Sequence, residues 1–516
     1  MRGARRVLMA GLWSVAVLAT AQEARNEEPP KPEARKEKEP EVKPAPPQVF
    51  VSHHSGRFGA ETVAYTATAG ETHLLDDKGE PKASFFTFAY VKDQVKDPAT
   101  RPVTFVWNGG PGSSSVWLHM GSIGPRRVVV PSDAKDDGPP PYRFEDNLAS
   151  PLDATDLVFV DPVGTGWSRA LGKHENKEFW GLYEDADSIV ELIRTWVTQN
   201  KRWASPKYLL GESFGTTRAG AVAGRLEGEA ALSLNGVILV SQCLDYQGST
   251  PEHDNLIAYV TYLPTMAATA WYHGKVKDRP ADLRAFLAEA RAFAVDEYAP
   301  ALFKGNRLDP AAHARIRQRL ARFTGLSEDY LEQADLRPLA GRFLKELLRA
   351  EGKTVGRLDG RYLGEDVDRL AEQPDGDPAS YGINSAYVAG LNTYLADALG
   401  VKMDRPYAVS GGADLGRLWK WRPVPESSSW EPSYPNTARD LSRALRRNRG
   451  LRVLVAAGYY DFATPFFDAE YTFAARGFEP ERLTFTYYEA GHMMYLHQPS
   501  LDQFSTSVRA FIRGGK

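Results

Sequence analysis

Tyr208-Leu209-Leu210-Gly211-Glu212-Ser213-Phe214-Gly215 is the stretch on which the reading of this chain turns. It is an apolar run that closes in Gly-x-Ser-x-Gly and passes at once into the small-residue segment Thr216 to Leu226. A buried strand that ends in two glycines around a serine, with helix-forming residues behind it, predicts a nucleophile elbow. The glycines serve a strained backbone that neighbouring chain approaches closely. The serine oxygen is thereby held at the strand tip, beside a helix N-terminus. An oxygen so placed can attack a carbonyl carbon. Five residues of this form also recur by chance, so the surrounding sequence has to carry the assignment.

Outward from the elbow, apolar strands alternate with helices. Pro102 to Trp107 is a continuous apolar run that leads straight into Asn108-Gly109-Gly110-Pro111-Gly112-Ser113-Ser114-Ser115. Strands are also predicted at Asp156 to Val160, Lys207 to Leu210 and Leu234 to Val240, with a helix from Phe179 to Gln199. This pattern predicts an α/β fold with a mostly parallel central sheet and helices on both faces. Upstream, Glu61 to Leu75 and Ala83 to Val91 flank Asp76-Asp77-Lys78-Gly79, which predicts an antiparallel hairpin leading the sheet.

After Gln247 the pattern changes. From Asn255 to about Leu370, Ala, Leu, Arg and Glu recur at helical spacing, as in Asp282 to Ala294 and Ala311 to Phe323. Strand character returns at Leu451 to Ala457 and Leu483 to Tyr488, and an amphipathic helix is predicted from Leu501 to Ile512. A single sheet interrupted by an inserted helical cap accounts for this order. The core is then 49–247 and 401–516, and the cap 248–400. There is no internal repeat.

Composition bounds the partners and the compartment. The chain has 516 residues, 42% of them hydrophobic, which is ample for a large core, and its net charge is −3. No basic field of the kind that nucleic acid requires is present. Arg2, Arg5 and Arg6 precede the apolar run Val7 to Ala19, and Ala19-Thr20-Ala21 offers a small-x-small cleavage site. This predicts a signal peptide over 1–21, export to a periplasm or beyond the cell, and no stable membrane insertion after cleavage. Residues 22–48 are dominated by Glu, Lys, Arg, Pro and Ala, lack aromatic side chains and read as a disordered linker. One cysteine, Cys243, rules out an internal disulfide and reads as a small buried apolar residue.

A serine nucleophile needs a base to take its proton and a carboxylate to orient that base. On an elbow-bearing fold the chain order is Ser, then Asp or Glu, then His. The strand Leu451 to Ala457 ends in Gly458-Tyr459-Tyr460-Asp461, and Leu483 to Tyr488 is followed by Glu489-Ala490-Gly491-His492. Asp461 and His492 therefore follow the carboxyl ends of strands, where such sheets place their sites. The rival histidines are weaker: His497 begins the approach to the last helix, while His53, His54 and His119 precede the serine. Asp468 is the alternative acid, in a helix expected after Pro465. Two backbone amides are expected at the oxyanion hole, that of Phe214 after the nucleophile and one from the glycine-rich loop Trp107-Asn108-Gly109-Gly110.

At this point the chain resembles the serine carboxypeptidases, as a bacterial-type member. Trp107-Asn108-Gly109-Gly110-Pro111-Gly112-Ser113-Ser114 is similar to the family's glycine-proline signature, with Ser113 where a Cys is usual. Asp161-Pro162-Val163-Gly164-Thr165-Gly166-Trp167-Ser168 resembles its second signature. Gly211-Glu212-Ser213-Phe214-Gly215 and Ala490-Gly491-His492-Met493 resemble its nucleophile and histidine motifs. The resemblance implies an α/β-hydrolase fold, no metal or organic cofactor, and release of a C-terminal residue from a peptide substrate through an acyl-enzyme. It also implies that Asn108 and Glu212 help to bind the substrate's terminal carboxylate, with Gly110 beside them in the substrate-binding set.

One departure stands out. Family members pair the Glu before the nucleophile with a second Glu just ahead of a Gly-Pro pair, and here Ser122 stands at that place in Gly121-Ser122-Ile123-Gly124-Pro125. Two carboxylates at close range push one pKa up, which suits acidic working pH, so the substitution bears on both the pH optimum and the demand for a free C-terminus. Arg126, Arg127 and Arg218 lie near the motifs as alternative carboxylate binders, against the plainer reading of ordinary surface or salt-bridge arginines. An esterase or acyltransferase would share this fold and triad, and a catalytically inactive binding module would share the fold alone.

Overall fold

The computed structural model describes residues 44–514, except 137, 423–426, 431–433 and 476. The expected signal peptide and almost all of the expected linker lie outside the described residues. From residue 43 onward the chain forms one compact unit.

Nine strands make the long path of the sheet: β1 (Val49–Phe58), β2 (Glu61–Leu75), β3 (Pro81–Lys92), β4 (Val103–Trp107), β5 (Asp156–Val160), β6 (Lys207–Ser213), β7 (Gly236–Gln242), β8 (Arg452–Gly458) and β9 (Leu483–Tyr488). They lie in the order β1-β2-β3-β5-β4-β6-β7-β8-β9, with the two-residue strand Arg169–Ala170 added beside β3. β1 to β3 form an antiparallel meander that joins β5 antiparallel, and every pairing from β5 to β9 is parallel. The hairpin predicted around Asp76 is β2–β3. β1 was not anticipated: in Val-Phe-Val-Ser-His-His-Ser-Gly-Arg-Phe every second residue faces water, so no apolar run marks it.

The pleat explains why the central strands read as unbroken apolar runs. Successive side chains point to opposite faces, and both faces are covered. Phe105, Leu209, Val237 and Val453 point into one core with α1 (Leu182–Gln199), α2 (Phe214–Leu226) and α3 (Ala438–Arg447). Val106, Leu210, Ile238 and Leu454, each one residue further along, point into the other, which includes Phe504, Val508 and Phe511 of the last helix, Gln498–Ile512.

Between β7 and β8 the chain leaves the sheet for a block of helices. Local signals delimit them: in the helix Pro310–Thr324, Asp309 accepts the Ala312 amide as N-cap, Pro310 occupies the first turn and Gly325 closes the C-terminus at φ 69°. Most of the block has its own core, but Tyr459, Tyr460, Phe462 and Phe466, which follow β8, are part of it. A later helix, Pro378–Thr393, instead sends Ile383, Tyr387 and Leu391 into the core on the β4–β6 sheet face. Packing thus ties the inserted helices to the strand ends where β6, β8 and the segment after β9 meet. Among the described residues no helix is long and apolar enough to cross a membrane.

Candidate active site

The strand-to-helix turn is as tight as its sequence implies. Ser213 sits at φ 61°, ψ −131°, as the last residue of β6 and the N-cap of α2. A non-glycine residue in that region is strained, by roughly 1–3 kcal/mol, and holds only because its surroundings enforce it. The enforcement is visible in the backbone contacts. A Cβ on Gly109 would stand 2.5 Å from the Phe214 nitrogen and 2.7 Å from the Glu212 oxygen, so only glycine lets the two loops touch. The Trp107 Nε1–H donates to the Gly215 carbonyl at 2.8 Å, pinning the end of β4 to the turn.

Beneath this contact lies a buried arginine. Arg218, in the second turn of α2, donates through Nε to Asp185 Oδ2 at 2.6 Å and through a terminal nitrogen to the Asn108 carbonyl at 2.7 Å. It is completely buried. Arg218 is therefore neither at the surface nor available to a substrate carboxylate; it braces the glycine-rich loop against α1 and α2. Arg126 and Arg127 are likewise engaged, with Asp146 at 3.0 Å and Glu145 at 2.7 Å, on a separate two-stranded ribbon.

Asp461 and His492 meet. His492 Nδ1 lies 2.7 Å from Asp461 Oδ2, with the side chains nearly inaccessible. The second Asp461 oxygen accepts the amides of Ala463 and Thr464 at 2.7 and 2.9 Å, and the Thr464 hydroxyl donates to Oδ2 at 2.8 Å. Four donors fix the carboxylate, which in turn fixes the imidazole through Nδ1 and leaves Nε2 outside this contact. Burial disfavours a charged His492, but Asp461 opposes it through charge and hydrogen bond, with Glu212 adding to the pull, and the imidazole pKa is held above its ordinary value. The histidine loop is anchored to the elbow's neighbour strand: the Ser241 hydroxyl donates to the His492 carbonyl at 2.7 Å, and the next residue, Gln242, is the register partner of Ser213.

A strut from the helical block holds both loops, and the sequence carried no signal for it. The Phe462 amide donates to the Arg357 carbonyl at 3.0 Å, and the His492 amide to the Leu358 carbonyl at 2.6 Å. Asp359 accepts the Gly491 amide at 3.0 Å and pairs with Arg361, whose guanidinium also reaches the Glu489 carbonyl at 2.9 Å. Residues 357–361 lie more than a hundred positions from either partner loop, so only the folded chain brings them together.

Glu212 is 3% exposed and lies against the pair. Burial pushes its carboxyl up to about 7, against the pull of His492 and hydrogen bonds from Tyr495 and Asn108. The Tyr495 hydroxyl is the close donor, 2.8 Å from Glu212 Oε2. Ser122 plays no such part: it is buried in the turn His119–Ile123 with its hydroxyl 3.5 Å from the Leu118 carbonyl. Next to it, Gly121 packs against the Tyr387 hydroxyl and the Tyr495 ring. Where the resemblance leads one to expect a second carboxyl, this site presents tyrosines. Because the folded pKa lies above the ordinary 4.5, the native state binds the extra proton, and stability from this group is lost as pH rises from about 4.5 through about 7. The melting temperature of the wild type relative to Glu212→Gln should therefore fall across that interval and level off above it. A constant difference would mean that Glu212 titrates as an ordinary carboxyl.

The rivals are accounted for structurally. His119 is buried with Nε2 2.6 Å from the Tyr90 hydroxyl and its ring stacked on Phe159, and burial lowers its pKa to about 3. His497 precedes the last helix, with Nδ1 2.8 Å from the Ser500 hydroxyl, and His53 and His54 belong to the edge strand β1. Asp468 is in the helix Phe466–Phe473, as expected, with burial raising its pKa well above the ordinary value. Cys243 is buried, its thiol pushed up to about 12 by that burial. The second signature has a structural job: Asp161 accepts the amide and hydroxyl of Ser115 at 2.9 and 2.8 Å and the Tyr407 hydroxyl at 2.8 Å, locking the two signature loops together. Among the described residues no group of three or more His, Cys, Asp and Glu side chains is disposed to hold a metal ion.

Comparison with known proteins adds a lineage to this geometry. A family profile described as serine carboxypeptidase matches residues 67–279. The pheromone-processing carboxypeptidase KEX1 of Yarrowia lipolytica is 27% identical over 208 residues, 40% of this chain and 31% of the relative. Serine carboxypeptidase-like 42 of Arabidopsis thaliana is 29% identical over 157 residues, 30% of each protein. The chain spans about a third of the length of these curated relatives, which are fungal and plant and give the bacterial-type reading no support. The crystal structure of Kex1(delta)p, a prohormone-processing carboxypeptidase from Saccharomyces cerevisiae, superposes with a TM-score of 0.53 over 87% of this chain and 91% of that one, at 16% identity. The segment 67–279, with the elbow and both signature loops inside it, matches the serine carboxypeptidase profile, and the chain as a whole carries the α/β-hydrolase fold.

Proposed function

We propose that this chain is an exported serine carboxypeptidase that removes the C-terminal residue of peptides, with Ser213 as nucleophile, His492 as general base and acid, and Asp461 as its orienting carboxylate. The observation that carries the proposal is the buried 2.7 Å contact of His492 with Asp461, on loops tied to the strand beside the strained Ser213 elbow. In the first half-reaction Ser213 Oγ attacks the scissile carbonyl and its proton passes to His492 Nε2. The C–N bond then breaks, and the same proton leaves on the amino group of the departing amino acid. In the second half-reaction a water gives a proton to His492 as it attacks the ester, the acyl–Oγ bond breaks, and His492 returns that proton to Ser213 Oγ as the shortened peptide leaves. The amides of Gly109 and Phe214 are the proposed donors to the oxyanion; their loops touch at 2.5 Å from a would-be Gly109 Cβ.

Glu212, with Asn108 and Gly110 of the glycine-rich loop, is the proposed seat of the terminal carboxylate. A Glu212 that keeps its proton to about neutral pH can donate a hydrogen bond to that carboxylate instead of repelling it. The export reading rests on the N-terminal residues alone, namely Arg2, Arg5 and Arg6 ahead of Val7 to Ala19. The decisive assay offers purified protein a blocked dipeptide with a free C-terminus beside its C-terminal amide. Release of the last residue from the acid but not the amide is expected. Equal cleavage of both, or preference for a simple ester, would transfer the chain to the esterases, and no turnover of any of them would leave a binding module.

A further inference from the structure

We propose that Arg357 is a specificity-determining residue of this site, recognising a carboxylate on the bound peptide. Its backbone is part of the strut described above: its carbonyl holds the Phe462 amide, next to Asp461, and the following carbonyl holds the His492 amide. The side chain is exposed. Among the described residues its guanidinium has no hydrogen bond or ion pair. Asp377, the carboxylate in direct contact with this segment, is occupied by the amides of Arg357, Leu358 and Ala379 and makes no ion pair with it. The charge is nonetheless felt at the site, where it works against the upward shifts that Asp461 gives His492 and that burial gives Tyr262.

The other cations near the motifs are committed. Arg218 is paired with Asp185, Arg361 with Asp359, Arg126 with Asp146 and Arg127 with Glu145. The named groups around His492 are otherwise acidic, Asp461 and Glu212. A peptide carboxylate entering such a site meets the charge of Asp461, joined by that of Glu212 once it ionises above about neutral pH, unless a cation offsets it, and a planar guanidinium is the side chain that can grip a carboxylate with two parallel hydrogen bonds. Two carboxylates share this chemistry, the free C-terminus and an acidic side chain near the scissile bond.

This inference rests on the peptidase reading, and its test is made independent of turnover. Binding of three peptides is measured by calorimetry in Ser213→Ala and in Ser213→Ala/Arg357→Ala: a neutral blocked dipeptide acid, its amide, and an amide carrying Glu at the penultimate position. Loss of a charge-assisted contact should raise Kd about tenfold or more for a carboxylate-bearing peptide and leave the neutral amide unchanged. A loss confined to the acid assigns the C-terminus, and one confined to the Glu peptide assigns the side chain. Ser213→Ala/Arg357→Lys should recover part of the lost affinity, since it keeps the charge without the fork. Equal effects on all three peptides, no effect on any, or no measurable binding would overturn the assignment. Failure of the wild type to release an amino acid, with binding still sensitive to Arg357, would instead count against the peptidase reading alone.

Discussion

Ser213→Ala should lower turnover of a blocked dipeptide by on the order of a million-fold, to the level of an enzyme without its triad. The protein should remain folded, because alanine occupies φ 61° at the same backbone cost as serine and the loop contacts around it are made by the backbone. Ser213→Gly separates chemistry from strain. It should be equally inactive yet unfold at higher denaturant than the alanine variant, since glycine meets little penalty in this region. Activity surviving in either variant would remove Ser213 from the mechanism. An alanine variant more stable than the glycine variant would show that the elbow stores no strain.

Arg218→Ala should destabilise the protein by about 3–5 kcal/mol, the cost of leaving a buried carboxylate without its partner. Asp185 is buried, and that burial already raises its pKa despite the opposing charge of Arg218. With Arg218 gone the carboxyl has to stay protonated or leave the core, and staying protonated costs more as pH rises above the ordinary Asp value. The loss of stability measured by urea unfolding should accordingly be larger at pH 8 than at pH 5. Replacing both partners, as in Asp185→Asn/Arg218→Met, should recover a substantial part of it. Peptide turnover in Arg218→Ala should also fall, because the guanidinium holds the Asn108 carbonyl at the base of the glycine-rich loop. A variant as stable as the wild type at both pH values would show that water reaches Asp185.

Several parts of this molecule were legible before any coordinates because their physics is local. A strand buried on both faces has to be a short apolar run, and β4 to β8 are mostly such runs. The elbow has to have glycines where chains cross at contact distance, and Gly109 and Gly211 are there. The order of the post-strand residues Asp461 and His492 followed from chain direction in a parallel sheet. β1 escaped notice because an edge strand with alternate residues in water leaves no apolar run to detect.

What the sequence determined by itself was therefore the architecture of the sheet and a short set of candidate residues at its strand ends. Tertiary structure alone decided their environment. It set the closure of His492 on Asp461, and it made Arg218 a buried brace where ordinary arginine behaviour would leave it in water. It supplied a tyrosine hydroxyl to Glu212 from a residue 283 positions away, with Ser122 turned elsewhere, and it brought residues 357–361 out of the helical block to clamp both loops. The physical reason is one of range. Periodicity and turn chemistry act between near neighbours, whereas desolvation and pairing of charge depend on which distant segments pack against a group, and no local pattern encodes that.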